Sequence, residues 1–199
     1  MLTKLKQQIQ QMLATEARIA HRLRLTPNRI SIIGVILALL ASLAYMEWQS
    51  NKFYLLVAAV LLLLSGFCDA LDGVVARLYQ QATPFGGFLD SLLDRYADAA
   101  VYLGIIISGL CDVLWGSVAI IGSLLVSYSR ARAEAAGIKM ESVGLAERAE
   151  RIIILFIATL AAFIWQPQTI MNYSMILLAI LSNLTVLQRT YYAYKKLRK

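Results

Sequence analysis

The chain has 199 residues, of which 59% are hydrophobic and 16% are charged, and its net charge is +7. Because a soluble domain carries about a quarter charged residues, this composition and the mean hydropathy of +0.65 exclude an ordinary soluble protein and favour a one-domain integral membrane protein. Two cysteines, each within an apolar run, exclude a disulfide framework.

The first 25 residues have the pattern of an amphipathic helix that lies on a membrane surface. Apolar residues recur at helical spacing, the basic and glutamine side chains fall mostly on other faces, and Thr26 and Pro27 end the segment. A helix docked on a soluble partner is the alternative interpretation. Since the segment is polar and has no apolar core, we predict that it is not a signal peptide.

Six apolar segments follow, each close to the length of about 20 residues that a membrane-spanning helix needs. They cover 28–48, 53–78, 85–110, 113–136, 146–165 and 169–194. The predicted fold is therefore an all-α integral membrane protein with six transmembrane helices. It is predicted to form a single domain over 1–199, made of an interfacial helix (1–25) and a six-helix bundle (26–199).

The basic residues predict which side of the membrane each end of the chain faces. Of the 19 lysines and arginines, only Lys52 falls on one side, and the others lie before the first span, in alternate connections or at the C-terminal end. Because basic residues concentrate on the cytoplasmic side, both termini are predicted to be cytoplasmic. The positive charge then belongs to topology and to contact with anionic membrane lipids, and nucleic-acid binding is not expected.

Four aspartates interrupt the second and third apolar segments. Asp69 and Asp72 are three residues apart and Asp90 and Asp94 are four apart, so each pair shares one helical face. A short turn joins the two segments, and an antiparallel hairpin would bring all four carboxylates together. Their repulsion in a medium of low dielectric predicts bound divalent cations, and oxygen ligands suit magnesium or manganese.

Small and basic residues accompany the first pair of aspartates. Gly73 and Ala76 leave room for a ligand beside the helix, and Arg77 can donate paired hydrogen bonds to a phosphate. Two metal ions and an arginine would form a receptor for a pyrophosphate.

The order Asp-x-x-Asp-Gly-x-x-Ala-Arg, eight residues, Gly, three residues, Asp, three residues, Asp resembles the signature of the CDP-alcohol phosphotransferases without departure. Its positions here are Asp69, Asp72, Gly73, Ala76, Arg77, Gly86, Asp90 and Asp94. The resemblance implies a six-helix membrane enzyme, usually a homodimer, in which an acceptor hydroxyl attacks the lipid-side phosphorus of a CDP-linked lipid and CMP leaves.

The same resemblance implies a role for each position. Asp69, Asp72 and Asp90 would bind metal, and Asp94 would complete the site, with Asp94 or Asp90 as the general base. The CDP-linked lipid would be held by Asp69, Asp72, Gly73, Ala76, Arg77, Gly86 and, at the start of the first span, Asn28. Asp98, one turn beyond Asp94, is either a hydrogen-bond acceptor behind the site or a structural residue.

The stretch from Ser127 to Ile152 predicts an anionic acceptor. Its arginines fall at the end of the fourth span and the start of the fifth, and arginine matches phosphate geometry. The pattern Ser-Tyr-x-Arg-Ala-Arg-Ala-Glu followed by Glu-Arg-x-Glu-Arg resembles the inositol-phosphate-using branch of the family, and its archaeal members more than its bacterial ones. This implies CDP-archaeol in preference to CDP-diacylglycerol as donor, and an inositol phosphate site made of Ser127, Arg130, Arg132, Arg151 and Arg189.

Other interpretations stay open at this point. Glycerol 3-phosphate is also an anionic acceptor, and the arginines could be loop charges paired with neighbouring glutamates. A divalent-cation transporter could line a path with acids, although such proteins tend to have repeated halves or broken helices, which the sequence does not show. A membrane scaffold would have no use for the aspartate spacing.

Overall fold

The computed structural model describes residues 13–140 and 143–198, which form an all-helical protein. Seven helices lie in this part of the chain: α1 (Ala14–Arg22), α2 (Pro27–Met46), α3 (Phe53–Leu78), α4 (Pro84–Ile107), α5 (Val113–Ala135), α6 (Arg148–Ile164) and α7 (Pro167–Leu197). The prediction of an all-α protein is confirmed. Of the predicted interfacial helix, residues 1–12 lie outside the described residues, and α1 is the helical part that the structure describes.

Each of the three prolines opens a helix. Pro27, Pro84 and Pro167 stand in the first turn of α2, α4 and α7, where the missing N–H is not needed for a helical hydrogen bond. Oγ1 of Thr83 caps α4 by accepting a hydrogen bond from the backbone N–H of Gly86 at 3.0 Å. These local signals determine where the helix that carries the second pair of aspartates begins.

Four helices, α2, α3, α5 and α7, are long and apolar enough to cross a membrane. Their outward faces expose large apolar side chains such as Ile36, Leu40, Leu63 and Leu184, and a contiguous surface of this kind fits contact with lipid. The chain is therefore an integral membrane protein. α6 has 17 residues and α4 carries a cluster of charged residues, so length and composition alone do not establish the other two predicted spans.

α2 is the helix that connects the two aspartate-bearing helices. It packs against both α3 and α4, whereas α3 and α4 make few backbone contacts with each other. Fully buried alanines of one cluster, Ala38 and Ala41 on α2 and Ala58 on α3, allow the backbones of α2 and α3 to approach closely. α2 thus holds α3 and α4 in place, and space remains between the backbones of these two helices for their acidic side chains.

Gly104 determines how closely α4 approaches α2. A Cβ atom at this position would lie 2.7 Å from the carbonyl oxygen of Ser42 and 2.9 Å from its Cα. We expect Gly104→Ala to lower the free energy of unfolding by about 1–3 kcal/mol, the usual cost of overpacking, seen as a lower Tm in detergent. Gly87→Ala is the matched control, because a Cβ atom there, on the same helix, would meet nothing within 4 Å. Equal Tm values for the two variants would contradict this contact.

Candidate active site

Three of the four signature aspartates meet between α3 and α4. One carboxylate oxygen each of Asp69, Asp72 and Asp90 lies within 4.8 Å of the others. Asp72 is buried, and Asp69 and Asp90 are half-buried. The three-residue spacing on α3 puts two of these carboxylates on one face, and the first turns of α4 bring the third to them.

Asp94 lies beside this group and makes ion pairs of its own. Nη1 of Arg148 is 2.6 Å from Oδ1 of Asp94 and 2.6 Å from Oδ1 of Asp69, and Nη1 of Arg95 is 3.2 Å from Oδ2 of Asp94. Arg148 is not among the sequence-predicted site residues, although the Glu-Arg-x-Glu-Arg pattern contains it. It links the carboxylates of α3 and α4 from the first turn of α6.

Asp72 is positioned by a serine that the sequence-predicted site does not include. Oγ of Ser31, on α2, donates a hydrogen bond to Oδ2 of Asp72 at 2.5 Å, and both side chains are buried. A hydrogen bond to a carboxylate that also binds metal fixes its orientation. No local pattern marks Ser31, because its partner lies 41 residues further along the chain.

Asn28 and Gly86 come together where α2 and α4 begin. A Cβ atom at Gly86 would lie 3.1 Å from Oδ1 of Asn28 and 3.0 Å from Oγ1 of Thr83, so glycine lets the first turn of α4 lie against the first turn of α2. Asn28 is three residues before Ser31, hence on the same face of α2. The structure therefore brings Asn28 and Gly86 together, with Asn28 on the face of α2 that carries Ser31.

The rest of the α3 signature forms an open basic surface. Arg77 is exposed and Ala76 is half-buried. A Cβ atom at Gly73 would lie 3.3 Å from Nη1 of Arg77, so the absence of a side chain lets the guanidinium lie over the helix next to Asp72. The guanidinium of Arg77 thus lies over Gly73, the residue that follows the buried Asp72.

Asp98 lies behind Asp94 and accepts hydrogen bonds from three side chains. Nε of Arg148 donates to Oδ1 at 3.1 Å, and Nη2 of Arg151 and Oγ of Ser123 donate to Oδ2 at 2.8 and 3.3 Å. Of the two readings of Asp98, the structure favours the hydrogen-bond acceptor behind the site.

A cavity of about 540 Å³ opens beside the aspartates, between α4 and α5. It is lined by Asp90, Ser91, Asp94, Arg95, Leu124, Ser127, Tyr128, Arg130, Ala131 and Glu134. Ser127 and Arg130 are thus brought to the two aspartates of α4, while Arg132 is exposed and does not line this cavity. Nε of Arg130 pairs with Oε1 of Glu134 at 2.8 Å; both side chains are 46% exposed, so this pair is weak and easily exchanged.

The other two predicted phosphate-binding arginines, Arg151 and Arg189, are buried, each 2% exposed. Arg151 donates to the carbonyl oxygen of Ala146 at 3.1 Å in addition to its bond with Asp98. Nε of Arg189 donates to the carbonyl of Val143 at 2.8 Å and Nη1 to that of Val126 at 2.5 Å. Both guanidinium groups hold the loop that leads into α6, and neither lines the open cavity.

The donor set fits a divalent cation. Three carboxylate oxygens within one small sphere are the hard ligands that magnesium and manganese prefer. Oδ1 of Asp90 is buried and has no hydrogen-bond partner among the described residues, which is a costly state for a carboxylate oxygen unless a cation compensates it. The three carboxylates therefore offer the ligand type that a metal site needs, together with a buried oxygen that a bound cation would compensate.

The chain matches the family model of the CDP-alcohol phosphatidyltransferases over residues 24–187. It is 42% identical over 199 residues to an archaetidylinositol phosphate synthase of Pyrococcus horikoshii, covering 99% of this chain and 98% of the relative. It is 43% identical over 180 residues to an archaetidylinositol phosphate synthase of Methanothermobacter thermautotrophicus, covering 90% and 89% of the two chains.

The fold is similar to solved structures of the phosphatidylinositol phosphate synthase of Mycobacterium tuberculosis. The structure with CDP-DAG bound has a TM-score of 0.77 at 28% identity and covers 92% of this chain and 94% of that chain. The structure in complex with manganese and citrate has a TM-score of 0.77 at 29% identity, covering 92% and 88%.

We expect Ser31→Ala to weaken metal binding, because Asp72 loses the donor that orients it. Loss of such an outer partner typically lowers metal affinity by about 10- to 100-fold, which titration of purified protein with Mn²⁺, followed by electron paramagnetic resonance, would measure. Ser42→Ala is the control: Ser42 lies on the same helix and donates to the carbonyl of Ala100, away from the aspartates. Unchanged affinity in Ser31→Ala would show that Asp72 is not a ligand that needs this support.

Proposed function

Because the chain belongs to the CDP-alcohol phosphatidyltransferase family, and is therefore a membrane-embedded CDP-alcohol phosphotransferase that depends on a divalent metal, we propose that its acceptor is inositol 1-phosphate. The reaction would move the lipid phosphatidyl or archaetidyl group from a CDP-linked lipid to this acceptor and release CMP. One observation carries the proposal: the cavity beside the signature aspartates is lined by Ser127 and Arg130 from the acceptor-specific stretch.

CDP-archaeol is the favoured donor and CDP-diacylglycerol the alternative. Support comes from the two archaeal relatives, which are named archaetidylinositol phosphate synthases. The solved relative with CDP-DAG bound supports the CDP-lipid class in general. The family match gives no support to a cation transporter or a scaffold.

The proposed metal ligands are Asp69, Asp72 and Asp90, with Asp94 completing the site. We propose two Mg²⁺ ions as the natural cofactor; Mn²⁺ is the alternative, and the Mycobacterium tuberculosis relative has been solved in complex with manganese. When bound, the ions would offset the charge of the carboxylates and of the pyrophosphate, and stabilise the charge on departing CMP. Ser31 keeps Asp72 turned toward this position.

The donor would lie along the α3 signature. Arg77 can hold the pyrophosphate through paired donors, and the bare helix surface at Gly73 and Ala76 admits the nucleotide. Asn28 and Gly86 lie together at the start of α2 and α4 and would contact the cytidine of the CDP-linked lipid. In this arrangement the lipid-side phosphorus would lie toward the aspartates of α4.

Asp94 is the proposed general base, because it lines the cavity and is not one of the three clustered carboxylates. It would accept the proton of the acceptor hydroxyl while that oxygen bonds to the lipid-side phosphorus. The bond from this phosphorus to the bridging oxygen breaks, and CMP leaves with the electron pair. Asp90 lines the same cavity and is the alternative base.

The acceptor phosphate would contact Ser127 and Arg130 inside the cavity, with Arg132 at its edge. Arg130 can exchange Glu134 for a phosphate at small cost because that pair is half exposed. Arg151 and Arg189 form the inner part of this basic cluster. Each would have to give up a backbone carbonyl to reach a phosphate, and in the present arrangement they fix the loop before α6.

The proposal for the membrane arrangement is one domain over 1–199 with six spans, α2 to α7, preceded by an interfacial helix. α4 would span the membrane despite its charged residues, because its acidic side chains face the site. α6 would span it with 17 residues. The distribution of basic residues supports cytoplasmic termini and a cytoplasmic active site. The homodimer is carried over from the family resemblance.

The test is CMP release by the purified protein in detergent with Mg²⁺ and CDP-archaeol or CDP-diacylglycerol. Inositol 1-phosphate, free inositol, glycerol 3-phosphate and serine are each offered alone. We expect release only with inositol 1-phosphate. The hydroxyl and the arginine of the cavity suit a phosphorylated acceptor, and the relatives named archaetidylinositol phosphate synthases favour inositol phosphate over glycerol 3-phosphate. Asp94→Asn should lower the rate by a factor of about 100 or more, the contribution of a positioned base.

Asp112→Asn is the matched control, because Asp112 caps α5 through an oxygen that asparagine retains and lies outside the site. Release with glycerol 3-phosphate instead would overturn the acceptor and keep the family activity. Full activity of Asp94→Asn would overturn the assignment of the base.

A further inference from the structure

Arg148 is a cation built into the centre of the acidic site. We propose that Arg148, held by Asp98, is an internal counter-ion that competes with the metal for Asp69 and Asp94, so that metal binding must displace its outer end. This inference rests on the proposed metal site and adds to it a residue that lowers metal affinity and stabilises the metal-free protein.

The two ends of the Arg148 guanidinium are held differently. Nε donates a hydrogen bond to Oδ1 of Asp98 at 3.1 Å. Nη1 lies 2.6 Å from both Asp69 and Asp94, yet it makes no directed hydrogen bond within the described residues. The inner end is therefore fixed by a directional bond, and the outer end by charge alone, which a stronger cation can replace.

Asp98 is a rigid anchor for this arrangement. Its Oδ2 atom accepts from Arg151 at 2.8 Å and from Ser123 at 3.3 Å. Arg151 is itself buried and tied to the carbonyl of Ala146. Because these partners surround Asp98, it holds Arg148 in place when the outer end loses its contacts.

Arg148 and a bound metal ion would compete for the same carboxylate. Asp69 is one of the three carboxylates that can hold a metal, and the same carboxylate pairs with Arg148. In the metal-free protein Arg148 offsets the repulsion between Asp69 and Asp94 across two helices. A dication at this site would meet the full charge of a guanidinium a few ångströms away, which opposes its binding.

Two opposite effects of removing this charge follow. Without Arg148 the carboxylates repel each other in the metal-free protein, so its stability falls. The metal then binds without a competitor, so its affinity rises and the increase in Tm on adding metal becomes larger. A salt bridge that is only structural would lower stability equally with and without metal, and would leave metal affinity unchanged.

The experiment measures Mn²⁺ binding by electron paramagnetic resonance, and Tm with EDTA or with Mn²⁺, on the purified protein without substrates. For Arg148→Gln we expect the Kd for Mn²⁺ to fall by about tenfold or more and the Mn²⁺-induced rise in Tm to exceed that of wild type. Arg148→Lys cannot contact Asp98, Asp94 and Asp69 at once and should show a smaller shift in the same direction, which tests the inference if the glutamine variant does not fold.

Two further variants complete the design. Ser123→Ala removes a weak donor to Asp98 and keeps every charge, so its Kd for Mn²⁺ should equal that of wild type. Asp90→Asn should abolish tight Mn²⁺ binding; if it does not, the proposed metal site itself is wrong. If Asp90→Asn abolishes binding but Arg148→Gln and Arg148→Lys bind Mn²⁺ no more tightly than wild type, the site stands and the counter-ion inference is overturned.

Discussion

Repulsion between carboxylates in a medium of low dielectric is the constraint on which this structure depends. Asp69, Asp72, Asp90 and Asp94 lie within two apolar helices, where charge without compensation is costly. Ser31 donates a hydrogen bond to Asp72, and Arg148 forms ion pairs with Asp69 and Asp94. Within the described part of the chain these groups leave Oδ1 of Asp90 without a hydrogen-bond partner, and a divalent cation would compensate the charge of this oxygen.

The architecture serves the same end. α3 and α4 are held by α2 and make few backbone contacts with each other. Their backbones therefore stay apart, while the carboxylates of Asp69, Asp72 and Asp90 meet between them. The start of α6 then brings a cation to both faces from a third direction. Behind it, the buried Arg189 of α7 binds carbonyls of α5 and of the loop that precedes α6. The position of Arg148 therefore depends on most of the bundle. The cavity between α4 and α5 remains open for substrates.

Local and periodic features of the sequence predict much of this. The apolar segments and the spacing of the four aspartates lead to the right helices and the right faces, and Pro27 marks the boundary before α2. The features that escape prediction depend on the register between distant helices: Ser31 meets Asp72 across 41 residues, and Arg148 reaches Asp98 across 50 residues. Burial of Arg189 is equally non-local, because the carbonyls that it binds, those of Val143 and Val126, lie 46 and 63 residues away along the chain.

Anomalous diffraction at the manganese edge, from crystals grown with Mn²⁺ and a CDP-linked lipid, tests the central claim most directly. That claim is that the signature aspartates of α3 and α4 form a metal site on which the donor pyrophosphate binds. The account predicts anomalous density among Asp69, Asp72 and Asp90, in contact with the pyrophosphate. Density elsewhere, or a pyrophosphate bound by Arg77 with no metal among these carboxylates, would contradict it.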